Sequence, residues 1–230
     1  MINAEADLLA AGATLAGNAY TLNADGTYCF GPFTLTPARQ IIVPDGRKVV
    51  LLGHGTKSLV QGNIDNGAVF VFQGQATVHM HDLKIKNNSA LAGSRGIESS
   101  TTEAYLHDMA IVSNDTSEGL RITGGRLFAT QLRISNVITG VSCRGGELFL
   151  QNYDCENLTN GLSIDASHSG LQWIGGRIND YAIALQVTNA CQSIVLHGVT
   201  AVSGTDSFVK RTAGTVNRAT IMGNTVAVTT

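Results

Sequence analysis

A four-residue phrase recurs down this chain at nearly constant spacing, and a spacing of that size leaves few folds open. Gly119-Leu120-Arg121-Ile122, Gly140-Val141-Ser142-Cys143 and Gly161-Leu162-Ser163-Ile164 are each a glycine, an apolar residue, a polar residue and a second apolar residue. Gly96-Ile97-Glu98-Ser99 precedes them, and Ala184-Leu185-Gln186-Val187 and Ser207-Phe208-Val209-Lys210 follow with the glycine relaxed to a small residue. The starts lie 23, 21, 21, 23 and 23 residues apart. Regular self-similarity at such a period is the mark of a solenoid.

The repeat unit is not a helix pair. Within each unit apolar residues alternate with polar ones in short runs broken by turn residues, which is the period of a strand. A second phrase precedes each glycine: Val78, Met80, Leu83, Ile85, Asn87; then Ala104, Leu106, Met109, Ile111, Ser113; then Leu127, Ala129, Leu132, Ile134, Asn136; then Leu148, Leu150, Tyr153, Cys155, Asn157. Later copies are Leu171, Trp173, Gly176, Ile178, Asp180 and Ile194, Leu196, Val199, Ala201, Ser203, with a partial last copy at Ala219, Ile221, Asn224, Val226 and Val228. Three short strands per unit with apolar residues inward describe one rung of a parallel β-helix, with rungs stacked at about 4.8 Å. The expectation is an all-β, single-domain, right-handed parallel β-helix of seven to eight rungs. Asn87, Ser113, Asn136, Asn157, Asp180 and Ser203 fall in one column and are expected to form a buried polar ladder at a corner, bonded to turn backbone and to one another. Tyr153 and Trp173 fall on inward positions.

Residues 1–18 read as a cap. Asn3 is placed to start an Ala- and Leu-rich helix running to about Leu15, with Leu8 and Leu15 on one face, and an open solenoid end needs such a cover. Residues 19–230 read as the β-helix, beginning with an irregular rung over 19–47 and carrying two longer loops, 61–66 and 88–95.

At repeat level, the stretch 19–230 resembles the right-handed parallel β-helix proteins of the pectin-lyase-like class. The short loops make it most similar, within that class, to bacteriophage tailspike and tail-fibre β-helices. That resemblance implies a rigid, homotrimeric virion module that serves structure and attachment, made in the host cytoplasm, with other virion proteins and host-surface polysaccharide as partners.

Composition narrows the alternatives. The net charge is −2 with no basic block, which argues against a nucleic-acid partner. No apolar run reaches membrane-spanning length, and the start lacks the basic and apolar regions of a secretion signal. Cys29, Cys143, Cys155 and Cys191 show no metal-binding spacing, and no cofactor motif is present.

Four features carry candidate chemistry. Gly53-His54-Gly55 matches a tripeptide of polygalacturonases but lacks the aspartate pair and basic triplet that accompany it there. Asp154 and Glu156 point outward from one strand, two residues apart, and form the acid pair of the enzymatic alternative, a polysaccharide hydrolase or lyase. The column through Asp154 reads Lys84, Ala110, Arg133, Asp154, Arg177, Thr200, so a surface salt-bridge ladder is the competing expectation. His81 and His107 stack on adjacent rungs without a third ligand. The outward face of the first strand carries His79, Tyr105, Phe128, Phe149, Gln172 and Val195 in one column, with Ile174 in the next. Three consecutive aromatics facing away from the core mark an interaction surface. We expect a self-association seam at Tyr105, Phe128, Phe149, Ile174 and Val195. The alternatives are a sugar-stacking platform, as in a carbohydrate-binding module, and a loop, 61–66 or 88–95, folded over the strip.

Overall fold

The computed structural model describes residues 1–36, 38–55, 57–89, 91–114, 118–165, 167 and 170–227. These form a single parallel β-solenoid with three faces. The first face is a nine-stranded parallel sheet running from Gly26–Cys29 through Lys48–Leu52, Thr77–His81, Glu103–His107, Arg126–Thr130, Glu147–Gln151, Gly170–Ile174 and Cys191–His197 to Val216–Met222. Nine strands on this face exceed the expected seven to eight rungs, because the irregular segment after residue 19 completes a turn of its own. The second and third faces merge from the middle onward, where the strands Arg133–Cys143, Asp154–Ile164, Arg177–Val187 and Thr200–Arg211 each run through both.

The inward columns follow the alternation. Val78, Ala104, Leu127, Leu148, Leu171 and Ile194 pair in register, as do Met80, Leu106, Ala129, Leu150, Trp173 and Leu196, and all are buried. The second face contributes Ile85, Ile111, Ile134, Cys155, Ile178 and Ala201. Burial raises the Cys143 and Cys155 thiols well above their ordinary range, so both behave as small core fillers. Trp173 donates its indole N–H to the Gly175 carbonyl at 3.0 Å, and Tyr153 donates its hydroxyl to the Gly161 carbonyl at 2.9 Å.

The repeated glycine has a packing cause. A Cβ on Gly119 would stand 2.5 Å from Ile134 Cγ2 and 2.7 Å from the Gly140 carbonyl oxygen. Each such glycine is where a third-face strand crosses close over a second-face isoleucine or Tyr153 and under the next rung's backbone.

The polar column divides, which corrects the expectation of one buried ladder. Asn87 and Ser113 are buried: the Asn87 amide donates to Arg95 O and Ile64 O and accepts from Ile64 N, and Ser113 donates to Asn87 O. Asn136, Asn157, Asp180 and Ser203 instead take left-handed backbone, with φ of 56°, 54°, 49° and 58°. Here the chain bends from second to third face within one continuous strand, and the bend turns the side chain outward. Asn157 and Asp180 are exposed, Asn136 and Ser203 half-buried. Asparagine and aspartate tolerate this conformation better than other side chains. One amide step survives, Asn157 Nδ2 to Asn136 Oδ1 at 3.2 Å. A second left-handed column, Asp82, Asp108, Gln131, Asn152, Gly175, Gly198 and Gly223, turns the chain from first face to second. The sequence carries its signal as small polar residues giving way to glycine, which the column alignment passed over.

The N-terminal helix is shorter than expected. Helix α1 spans Glu5–Ala10, after which Gly12, at φ 87°, opens a strand β1 (Ala13–Ala16) antiparallel to β2 (Ala19–Leu22). The N-cap is Ala4 rather than Asn3, and Asp7 Oδ2, one turn in, reaches back to accept the backbone N–H groups of Asn3 and Ala4. Leu8 is fully buried, while Leu15 lies on the hairpin and is exposed. Glu5 fixes the cap to the first turn, accepting from Thr36 N, the Thr36 and Tyr20 hydroxyls, and Arg39. At the other end Ile221, Met222 and Val226 are exposed; Val228 lies outside the described residues.

Candidate functional surfaces

The aromatic column is present as a continuous stack. His79 and Tyr105 ring centroids are 4.6 Å apart, Tyr105 and Phe128 5.1 Å, and Phe128 and Phe149 4.7 Å, with interplanar angles of 10°, 9° and 6°. In-register parallel pairing at about 4.8 Å imposes this spacing, so flat side chains on one column lie face to face. Glu103, Arg126 and Glu147 border the stack. The Tyr105 hydroxyl donates to Glu103 Oε2 at 3.0 Å, which raises its pKa, and Arg126 pairs with Glu147 at 3.0 Å. Beyond the stack, Val195 continues the same column half-buried, and Ile174 in the next is 40 % exposed.

Two of the three readings of this strip lose ground on geometry. The described residues of 61–66 and 88–95 connect strands of the second face to strands of the third, Leu59–Gly62 to Ala68–Phe72 and Lys84–Asn87 to Arg95–Ser99, and so lie away from the first face. A pyranose stacks its C–H bonds on the electron-rich face of a ring. Both faces of Tyr105 and of Phe128 are taken by neighbouring rings. What the column offers to a partner is ring edges.

The second outward surface is an open groove of about 480 Å³ on the second face, lined by two columns. One runs Lys84, Ala110, Arg133, Asp154, Arg177; the other includes Val112, Ser135, Glu156 and Asn179. The structure therefore brings Asp154 and Glu156 to one groove. The expected salt-bridge ladder does not form: no ion pair joins Asp154 to Arg133 or Arg177, because Asp154 Oδ1 turns to the main chain and accepts the Arg177 backbone N–H at 2.8 Å. The side chains of Lys84, Arg133 and Arg177 make no hydrogen bond or ion pair within the described residues.

The third face behaves oppositely and was not singled out from sequence. Arg121 grips Glu118 with two hydrogen bonds, 2.6 and 2.8 Å; Arg144 reaches the same carboxylate at 3.3 Å, and Arg95 pairs with Glu98 at 3.3 Å. Burial alone would lower the Arg121 pKa, but the Glu118 hydrogen bonds and charge raise it overall. The sequence signal was the exchange of Arg and Glu between adjacent rungs, at 95 and 118 and at 98 and 121.

His81 and His107 do stack in register, but each turns to its own aspartate, His81 Nδ1 to Asp82 at 3.1 Å and His107 Nε2 to Asp108 at 3.0 Å. No group of three His, Cys, Asp or Glu among the described residues could hold a metal ion. No helix among them is long and apolar enough to cross a membrane. Comparison with protein families, curated proteins and solved structures yields no match.

Proposed function

We propose that this chain is a rigid, non-catalytic module of a phage-like particle, a spike, tail fibre or capsid-attached component, that works by structure and attachment and assembles with further copies of itself through its aromatic face. The observation that carries the reading is the four-ring stack from His79 to Phe149. Its edges form a continuous apolar strip bordered by charges, with exposed Ile174 beside it, and a contiguous apolar strip of this kind marks an interaction surface. Trimeric symmetry and the place in a virion come from the resemblance to tailspike and tail-fibre β-helices. Sedimentation of the wild type at micromolar concentration tests the self-association: a trimer is expected, and a monomer overturns it. Mass-spectrometric detection of the chain in purified particles tests the virion placement, and its absence from them overturns that part.

A polysaccharide-cleaving enzyme is the second reading, favoured by Asp154 and Glu156 lining the same groove. It requires new reducing ends or unsaturated products from a polysaccharide incubated with the protein, abolished by Asp154→Asn or Glu156→Gln. We expect neither product.

A further inference from the structure

We infer that the second-face groove is the attachment site, and that its ligand is an acidic polysaccharide carrying one acid group on every second sugar, lying along the solenoid axis. This rests on the attachment reading above and names its ligand.

The first support is the state of the arginines. Arg39, Arg47, Arg95, Arg121, Arg126 and Arg144 each reach a carboxylate of the chain, whereas Arg133, Arg177, Arg211 and Arg218 reach none among the described residues, and of these four Arg133 and Arg177 share one groove. Both are exposed and both line the groove. A guanidinium left free on a concave surface is a ready partner for a carboxylate or sulfate, which it can engage through two parallel hydrogen bonds.

Spacing is the second support. Lys84, Arg133 and Arg177 occupy alternate rungs of one column. Two rungs amount to ~9.6 Å, close to the length of an extended disaccharide. The rung between Lys84 and Arg133 carries neutral Ala110; the rung between Arg133 and Arg177 carries Asp154. A polymer with an acid on every sugar would set one against the Asp154 carboxylate, and like-charge contact of that kind rejects a wrong partner. A polymer with alternating acids sets them against the cations and leaves a neutral sugar over Asp154, which can accept a hydroxyl hydrogen bond. The second column, about 6.6 Å away along the strands and so the width of a single sugar ring, supplies Ser135 and Asn179 on the arginine rungs and Glu156 on the Asp154 rung, where a second carboxylate adds to the rejection of an acid placed there.

The test is binding of three oligosaccharides of equal length to the wild type: hyaluronan (alternating acid), oligogalacturonate (acid on every sugar) and neutral cello-oligosaccharide. Hyaluronan is expected to bind about tenfold more tightly than oligogalacturonate despite carrying half its charge. Arg133→Gln and Arg177→Gln should each weaken hyaluronan several-fold, and Asp154→Asn should relieve the rejection of oligogalacturonate. Equal or tighter binding of oligogalacturonate by the wild type, or binding unaffected by the arginine substitutions, overturns the inference. Failure of all three sugars to bind a protein that still sediments as an oligomer overturns the groove assignment and leaves the assembly reading standing. Hyaluronan binding by a protein that sediments as a monomer does the reverse.

Discussion

The first and second faces of this solenoid hang on the same interior and obey the same alternation, yet their outward columns solve opposite problems. On the first face the side chains satisfy one another: ring stacks on ring at rung spacing, and the column is finished except along its edges. On the second, the same spacing holds Arg133, Asp154 and Arg177 on successive rungs, and the carboxylate goes to a backbone N–H. A flat apolar side chain gains from an identical neighbour 4.8 Å away, while a charged one gains only if its neighbour's charge is opposite and unclaimed. One face is thereby suited to a second protein surface, the other to a charged ligand.

The largest effect should come from the interior that both faces share. Leu150 lies between Ala129 and Trp173 on its inward column and is 2 % exposed. Leu150→Ala should cost about 2–5 kcal/mol in a denaturant melt, because the stack cannot close around the missing atoms. An unchanged midpoint would mean that the interior does not couple the faces.

Separating the faces comes next. Phe128→Asp combined with Phe149→Asp sets two like charges on adjacent rungs of the aromatic column. This should dissociate the oligomer in a sedimentation experiment while leaving the β-sheet circular dichroism in place. Retention of the wild-type mass would remove the aromatic stack from the interface.

The corner between second and third face gives a smaller, backbone effect. Asn157→Val forces a β-branched residue into left-handed backbone and should lose about 1–2 kcal/mol, whereas Asn157→Gly should stay close to wild type. Equal stability of the two variants would mean that the bend relaxes.

Acid should loosen the cap. Burial would raise the Glu5 pKa, but the Thr36 backbone and hydroxyl, Tyr20 and Arg39 together hold it below the ordinary glutamate range. A depressed carboxylate contributes stability above its unfolded pKa and loses it as pH falls through the native one. Hydrogen exchange over Ala13–Leu22 should therefore quicken in that acid window, and Glu5→Gln should show no such step there.

The smallest effect is expected at Asp154→Asn. The amide oxygen can still accept from Arg177 N, and a half-buried surface substitution that keeps its partner typically stays within about 0.5 kcal/mol. A larger loss would mean that the charge itself holds the groove together.

Much of this fold could be read from the chain because period 2 within strands and a near-constant spacing between rungs leave little choice of which residues meet. The column alignment by itself places Leu150 between Ala129 and Trp173, and Phe128 between Tyr105 and Phe149, as the registers do. The errors fall where backbone geometry, not column membership, decides the outcome. Asn87 and Asn157 share a column, but one sits beneath a connecting segment and the other on a left-handed bend. Leu15 keeps helical spacing with Leu8, yet helix α1 ends well before it because Gly12 turns the chain back into a hairpin. In the groove, the alignment placed Asp154 between two arginines but could not show that the Arg177 backbone claims its carboxylate.

The chain has one tryptophan, and Trp173 is buried on the seventh of the nine first-face strands beside Tyr153, their rings 5.2 Å apart. Its fluorescence therefore reports the dryness of one rung, while far-ultraviolet dichroism counts all of them. In an array whose units touch only their neighbours, loss from the N-terminal end inward would drain the dichroism long before the emission shifts to the red, whereas loss from the other end would shift the emission after two rungs. If the whole stack opens at once, the two signals will move together. A single native chromophore thus makes the size of the cooperative unit measurable without labelling the protein.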